Sequence, residues 1–398
     1  MKNIQLKDLL KEPTRNGLTK PKAIRGNGVK MISMGEIFSH GRIADIEMDR
    51  VPVSDKELSN CQIEKGDLLF ARQSLVLDGA GKCSIVTKAN EPTVFESHLI
   101  RARIDEKKAN PYFLYYYFNS RLGKDNMRTI VEQVAAAGIR GSDLINLWVP
   151  SPSIEVQNRI ADILIAIDKK IELNYQINDN LEQQAQSYFQ ELFVDNASPE
   201  WTTGTISDLG TVVGGSTPSK SKPEYYTESG IAWITPKDLS INKSKFVSHG
   251  ENDITELGLK NSSAAIMPEG TVLFSSRAPI GYIAIAAGEV TTNQGFKSVV
   301  PKPEIGTPFV YFFLKNTLPV IEGMASGSTF KEVSGSTMKN VPAVIPDAET
   351  LAKFSDFCAP IFEQQRTLEE QNQSLAKLRD SLLPKLMSGE IDVSAVQL

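Results

Sequence analysis

Apolar residues recur at alternating spacings of three and four along residues 154–193. The stripe runs through Ile160, Leu164, Ile167, Ile171, Leu181, Tyr188 and Leu192, with Asn174, Asn178 and Ala185 at intervening positions. This period predicts a long helix bearing a coiled-coil seam with two polar positions. No Gly or Pro interrupts it between Ile160 and Phe193. Ser153 is the expected N-cap, and Glu155 stands in the first turn, where the helix dipole favours an anion. A second stripe, Phe354, Ile361, Leu368, Leu375 and Leu382, recurs every seventh residue. Pro360 is expected to break or kink this helix near its start, and Pro384 lies near its end. About 40 residues at the helical rise span roughly 60 Å. The remaining faces carry Gln, Asn, Glu and Lys, so each helix needs a partner of similar length. The other copy is the available partner, side by side and antiparallel, with Asn174 and Asn178 setting the register.

The two helices belong to an internal repeat. Residues 144–168 (LINLWVPSPSIEVQNRIADILIAID) resemble residues 338–362 (MKNVPAVIPDAETLAKFSDFCAPIF), with Asn146 and Asn340, Pro152 and Pro346, and Ile167 and Ile361 all 194 apart. Upstream the echo is looser: VKMISMGEI against IAWITPKDL, EKGDLLFAR against PEGTVLFSSR, and ANPYFLYYYFNS against GTPFVYFFLKN. The last residues of the second pair match Arg72 to Arg277, and Gly138-Ile139-Arg140 is matched to Thr329-Phe330-Lys331. The organisation expected is a block at 1–153, a central helix at 154–196, a second block at 197–346, and a distal helix with a C-terminal tail at 347–398. Short β-type runs mixed with aromatic helical segments and frequent Gly and Pro make each block an α+β or mixed α/β domain. The fold class expected is therefore α+β: two similar globular α/β domains separated by two long antiparallel coiled-coil helices, in a pseudo-two-fold repeat.

Composition narrows the partners. The 398 residues carry a net charge of −5, but residues 1–153 hold 23 Lys and Arg against 18 Asp and Glu. The two helical segments are acidic, at −5 and −4, and residues 197–346 stand at −1. The acid thus sits on the helices, and the blocks remain compatible with a nucleic acid. No run of eighteen apolar residues predicts a membrane span, and the charged start, MKNIQLKDLL, does not read as a signal peptide. Cys61, Cys83 and Cys358 are odd in number and widely spaced, fitting neither a disulfide framework nor a zinc site. A reducing cytoplasm is the expected compartment.

Candidate chemistry lies in polar and basic loops of the blocks. The first has Arg15, Lys20, Lys22 and Arg25 in RNGLTKPKAIR; the second has Thr217, Lys220, Lys222 and Tyr225 in GGSTPSKSKPEY. Gly allows close backbone approach to a phosphate, and Thr, Lys and amide donors suit its oxygens. Arg140 and Lys331 follow in the leads into the two helices. Arg, Asn and Gln are residue types that read base edges, so Arg72, Arg277, Asn293 and Gln294 are the candidates for direct readout.

Three stretches, GGSTPSK…YYTESGIAWITPKDL, ASGSTFKEVSGSTMKNVPAVIP and LRDSLLPKLMSGEIDV, resemble the specificity (S) subunit of type I restriction–modification systems, as does the two-copy layout. The resemblance implies two target recognition domains, each reading one half of a bipartite, asymmetric double-stranded DNA sequence. It also implies helices that dock methyltransferase (M) subunits, two of them expected, with restriction (R) subunits joining through that core. No cofactor is expected in this chain; S-adenosylmethionine, ATP and magnesium would belong to the partner subunits. The first block departs from the family's commoner GGTP-type opening.

Enzymatic readings find little to stand on. Asn110-Pro111-Tyr112-Phe113 resembles an adenine-methyltransferase motif without its second proline. Asp78-Gly79-Ala80-Gly81-Lys82-Cys83 resembles the end of a phosphate-binding loop, but Cys83 stands where Ser or Thr is needed. His40, His98 and His249 are isolated, and His98 is expected to pack or cap. The alternatives are a generic coiled-coil scaffold and a self-contained methyltransferase or nuclease.

Overall fold

The structure, a computed structural model, describes residues 2–133, 137–327 and 331–393. The chain forms two compact units, Met1–Ile171 with Ser374–Leu398, and Glu172–Gln373.

In the first unit a five-stranded sheet has the order Arg15–Asn16, Leu99–Ala102, Leu68–Ala71, Cys83–Val86, Arg42–Ile43, antiparallel except for its last pair. The central strand LLFA is buried on both faces, and side-chain alternation divides it between two cores. Leu68 and Phe70 join a core with the aromatic helix Pro111–Asn119 and the long helices; Leu69 and Ala71 join another with Met31, Ile32, Val94 and Phe95. Those last four lie in a smaller sheet of order Arg50–Val51, Val29–Ile32, Thr93–Phe95. The aromatic helix begins where it does because the Asn110 side chain accepts the N–H groups of Tyr112 and Phe113, with Pro111 at the first helical position. The methyltransferase-like tetrapeptide is thus a helix cap.

The second unit repeats the plan. Its sheet runs Gly210–Gly214, Lys297–Pro301, Val272–Ser276, Ile280–Ala286, Phe246–Val247, again antiparallel except for the last pair. Val272 and Phe274 face the aromatic helix Thr307–Gly323, and Leu273 faces a four-stranded sheet that includes Ile231–Ile234 and Thr291–Thr292. Each fully buried Phe or Leu of these cores contributes ~2–3 kcal/mol of apolar transfer.

The long helices are Ile154–Gln190 and Ala348–Ser388. The expected break at Pro360 does not occur: the helix runs through it. Pro360 and Asp356, the residue whose carbonyl loses its N–H partner, are both exposed, where water can satisfy that oxygen. The helices pack antiparallel within each unit. In the first, Arg379 donates to Asp168 at 3.0 Å and Arg159 to the Val393 carbonyl at 3.0 Å. In the second, Asn174 donates to Asn372 at 2.9 Å, Gln365 donates to the Asn178 carbonyl at 3.1 Å, and Tyr188 packs on Phe354. Of the expected seam, Ile160, Leu164, Phe354, Ile361 and Leu368 are buried, while Ile167, Ile171, Leu181, Tyr188, Leu375 and Leu382 are half-buried. An α-helix drifts against a seven-residue repeat, and by its end the second helix buries Leu383, Leu386 and Met387 more deeply than Leu382.

Charged groups are buried beside both seams. In the first unit Asp168 accepts from Tyr116 at 2.6 Å and pairs with Arg379 and, at 3.4 Å, Arg42. In the second, Glu182 pairs with Lys245 at 2.8 Å and with Lys315. All three cysteines are buried and free. Among the described residues no helix is long and apolar enough to cross a membrane, and no cluster of His, Cys, Asp and Glu could hold a metal ion.

Candidate nucleic-acid interface

In the second unit the chain brings five sequence candidates to one concavity of about 690 Å³: Thr217, Lys220, Arg277, Asn293 and Gln294. Tyr226, Trp233, Lys237 and Asn252 line it as well. The turn after Thr291–Thr292 supplies Asn293 and Gln294. Asn293 caps that turn by accepting the Gly295 N–H at 2.8 Å, and Ser276 N–H donates to the Gly295 carbonyl at 2.8 Å, placing Arg277 beside it. The Gly214-Gly215 loop closes over the same turn: Ser216 N–H donates to the Thr292 carbonyl at 2.8 Å. A Cβ on Gly215 would lie 2.0 Å from the Asn293 carbonyl oxygen, so only glycine permits this approach. Thr217 then bonds Gln294 side chain to side chain. Tyr226 donates to the Pro218 carbonyl at 2.6 Å and Trp233 to the Ser216 carbonyl at 3.0 Å, so the aromatics hold the loop.

Charge in the hollow is mixed. Arg277 faces Glu332 at 3.5 Å, and Lys297, 3.9 Å from the same carboxylate, has its pKa lowered, chiefly by burial and also by Arg277. Lys222 lies outside the lining, 3.7 Å from Glu224, and Tyr225 is half-buried beside Gly258. Lys331 is exposed.

The first unit builds the same frame with other side chains. Leu18 N–H donates to the Phe95 carbonyl at 2.8 Å, and a Cβ on Gly17 would lie 2.0 Å from that oxygen. Arg72 N–H donates to the His98 carbonyl at 2.8 Å. Its basic candidates are partly engaged: Lys20 pairs with Glu57 at 2.9 Å, Arg25 with Asp49 at 2.8 Å, and Arg140 with Glu132 at 2.6 Å. Arg15 sits on the edge strand opposite Arg101, and Lys22 is exposed in a short turn.

The shared hydrogen bonds define equivalences that differ from the sequence matching. Arg72 N–H to His98 matches Ser276 N–H to Gly295, and Ile139 N–H to the Arg72 carbonyl matches Val333 N–H to the Ser276 carbonyl. The partner of Arg72 is therefore Ser276, and that of Arg277 is Gln73. Gly138-Ile139-Arg140 corresponds to Glu332-Val333-Ser334; Thr329 and Phe330, matched to it on sequence, lie outside the described residues. Gln73 is the polar residue that sequence reasoning missed, and His98, expected to pack or cap, is instead exposed, with its Nδ1 3.2 Å from Gln73 Oε1. An unbroken offset of 204 from Gly66 and Gly270, both at positive φ, onward would have found Gln73.

A family model described as "Type I restriction modification DNA specificity domain" matches residues 1–183 and again 199–377. The MjaIX type I restriction enzyme specificity subunit of Methanocaldococcus jannaschii is 38% identical over 192 residues, which span 48% of this chain and 44% of that protein, less than half its length. The HindI specificity subunit of Haemophilus influenzae is 24% identical over an alignment covering 83% of this chain and 87% of that one. A crystal structure of a type I restriction–modification system S subunit from M. genitalium matches 97% of this chain and 95% of its own, at a TM-score of 0.60 and 16% identity, which shows a shared fold.

Proposed function

Since the chain belongs to the family of type I restriction–modification specificity subunits, we propose that it reads a bipartite, asymmetric double-stranded DNA target, one half-site per unit. On this reading it performs no chemistry of its own. It positions methyltransferase subunits, two of them, for adenine methylation, and restriction subunits for cleavage. S-adenosylmethionine, ATP and magnesium are used by those partners, and the assembly works in the cytoplasm. Methylation requires the target adenine to leave the stack and enter a partner's pocket.

One observation carries the reading. The two units share a backbone frame, down to the glycine-on-carbonyl contacts of Gly17 and Gly215, yet present different side chains on it: Gln73 against Arg277, Glu96 against Asn293, Ser97 against Gln294, and His98 against Gly295. A conserved frame with exchanged polar tips is what two readers of unlike sequences require, because identity is read by side chains at base edges. Lys220 and Lys222 would serve affinity through phosphate contacts, giving salt-dependent binding.

The test is co-production with the methyltransferase subunit, followed by mapping of methylated adenines. A split motif is expected, with one half changing when residues 197–346 are exchanged for those of a relative. Methylation by this chain alone, or an unsplit motif, would overturn the proposal.

A further inference from the structure

We propose that Gln73 and His98 form the base-reading pair of the first unit and select an adenine in the major groove. The inference rests on the proposed function and assigns to the first unit the reading position that Arg277 occupies in the second. Both side chains are exposed, and His98 Nδ1 lies 3.2 Å from Gln73 Oε1. An amide oxygen only accepts, so this contact requires the proton on Nδ1. In the neutral ring Nε2 is then left as an acceptor, while the Gln73 amide keeps both N–H donors. The pair thus carries free amide donors on Gln73 and a free ring acceptor on His98.

Among the four bases taken singly, only adenine offers both an acceptor, N7, and a donor, N6, in the major groove; guanine shows two acceptors, and each pyrimidine one polar group. Gln73 alone has the same preference, since its amide can pair bidentately with N7 and N6 of adenine. Two backbone features hold the device in place. The Arg72 N–H to His98 carbonyl bond joins the two segments, and Gly138 faces Gln73 in a short antiparallel ladder in which the Ile139 N–H donates to the Arg72 carbonyl at 2.9 Å. A Cβ on Gly138 would sit 3.8 Å from Gln73 Cγ, so the absence of a side chain there leaves the Gln73 flank uncovered. In the second unit that slot holds Glu332, which faces Arg277.

The experiment produces Gln73→Ala, His98→Ala and Arg277→Ala chains with the methyltransferase subunit and measures binding of each complex to duplexes randomised in both half-sites. For Gln73→Ala, the preference for adenine at one position of one half-site should fall roughly tenfold to a hundredfold. His98→Ala should relax the same position, and the other half-site should remain unchanged, which also reports an intact fold. Relaxation at a position that is not adenine, a uniform loss of affinity over all sequences, or no change would overturn the assignment. If Arg277→Ala then still relaxes the opposite half, the split-target reading survives its failure. If no complex shows a split target, that reading fails as well.

Discussion

Replacing Glu182 by Gln should destabilise the second unit by ~3–5 kcal/mol at pH 7, because it strands a buried ammonium. Lys245 is 7% exposed and Glu182 is 20% exposed, with 2.8 Å between their charged atoms. Around them stand Lys315 and the Tyr311 hydroxyl on Glu182, Gln365 on Lys245, and Glu369, whose carboxylate accepts the backbone N–H groups of Lys245 and Phe246. The Phe362 ring lies 3.6 Å from the Lys245 ammonium. Burial drives Lys245 down to about 8 against Glu182's attraction, while Glu182, attracted by two ammoniums against its own burial, is held at about 2. Between pH 8 and 10.5 the unfolded chain binds more protons at Lys245 than the folded one, so stability rises with pH there. The Glu182 contribution is fully present above pH 4.5 and is lost as pH falls through 2. In the Gln variant Lys245 can escape by shedding its proton, which at pH 7 costs at most ~5 kcal/mol for an amine of ordinary pKa, and ~1.4 less for each unit the pH is raised. The penalty should therefore narrow by more than about 1 kcal/mol between pH 7 and pH 9. Urea unfolding followed by the fluorescence of Trp201 and Trp233, in a Trp148→Phe background, measures both quantities. A loss below about 1 kcal/mol at pH 7, or a penalty that is the same at both pH values, would refute the buried-charge argument. Adding Lys245→Met to the Gln variant should restore most of the loss, since it removes the stranded charge and keeps apolar contact with Phe362.

Gly17→Ala and Gly215→Ala should each cost ~1–3 kcal/mol in thermal unfolding, since each Cβ would meet a backbone oxygen at 2.0 Å; wild-type stability for either would mean that the loop is not seated as described. Asn174→Leu alone should destabilise by ~1–3 kcal/mol because it leaves the Asn372 amide buried without its partner. The pair Asn174→Leu with Asn372→Leu should match or exceed wild-type stability in the same urea assay, and additive losses would contradict this. Lys220→Ala should weaken DNA binding about equally for all sequences and reduce the slope of log K against log salt by about 1, measured by titration at several salt concentrations; a sequence-dependent loss would make Lys220 a base reader.

The repeat and the long helices were legible because residues 144–168 and 338–362, which run into the two helices, keep one offset, so periodicity and identity reinforce each other. The buried charges were not. Asp168 and Glu182 look like any acid on a polar helix face, and only the folded units bring Tyr116, Arg379, Lys245 and Lys315 onto them. Pro360 meets the same limit: the helix runs through it where the Asp356 carbonyl left without an N–H partner is exposed to water, and exposure is a tertiary property. Within the blocks the difficulty was register. Matching two blocks by residue type rather than by alternation tolerates a slip of one, and in a strand one residue moves a side chain to the other face. Arg72 was paired with Arg277 because both are arginines. The hydrogen bonds instead place Arg72 opposite Ser276 and bring Gln73 to the position of Arg277. Residue type singled out the chemistry able to read DNA, but the backbone decides which position is presented. If the two units read different half-sites, equivalent positions should carry unlike side chains, and a search for matching arginines looks for the opposite signal.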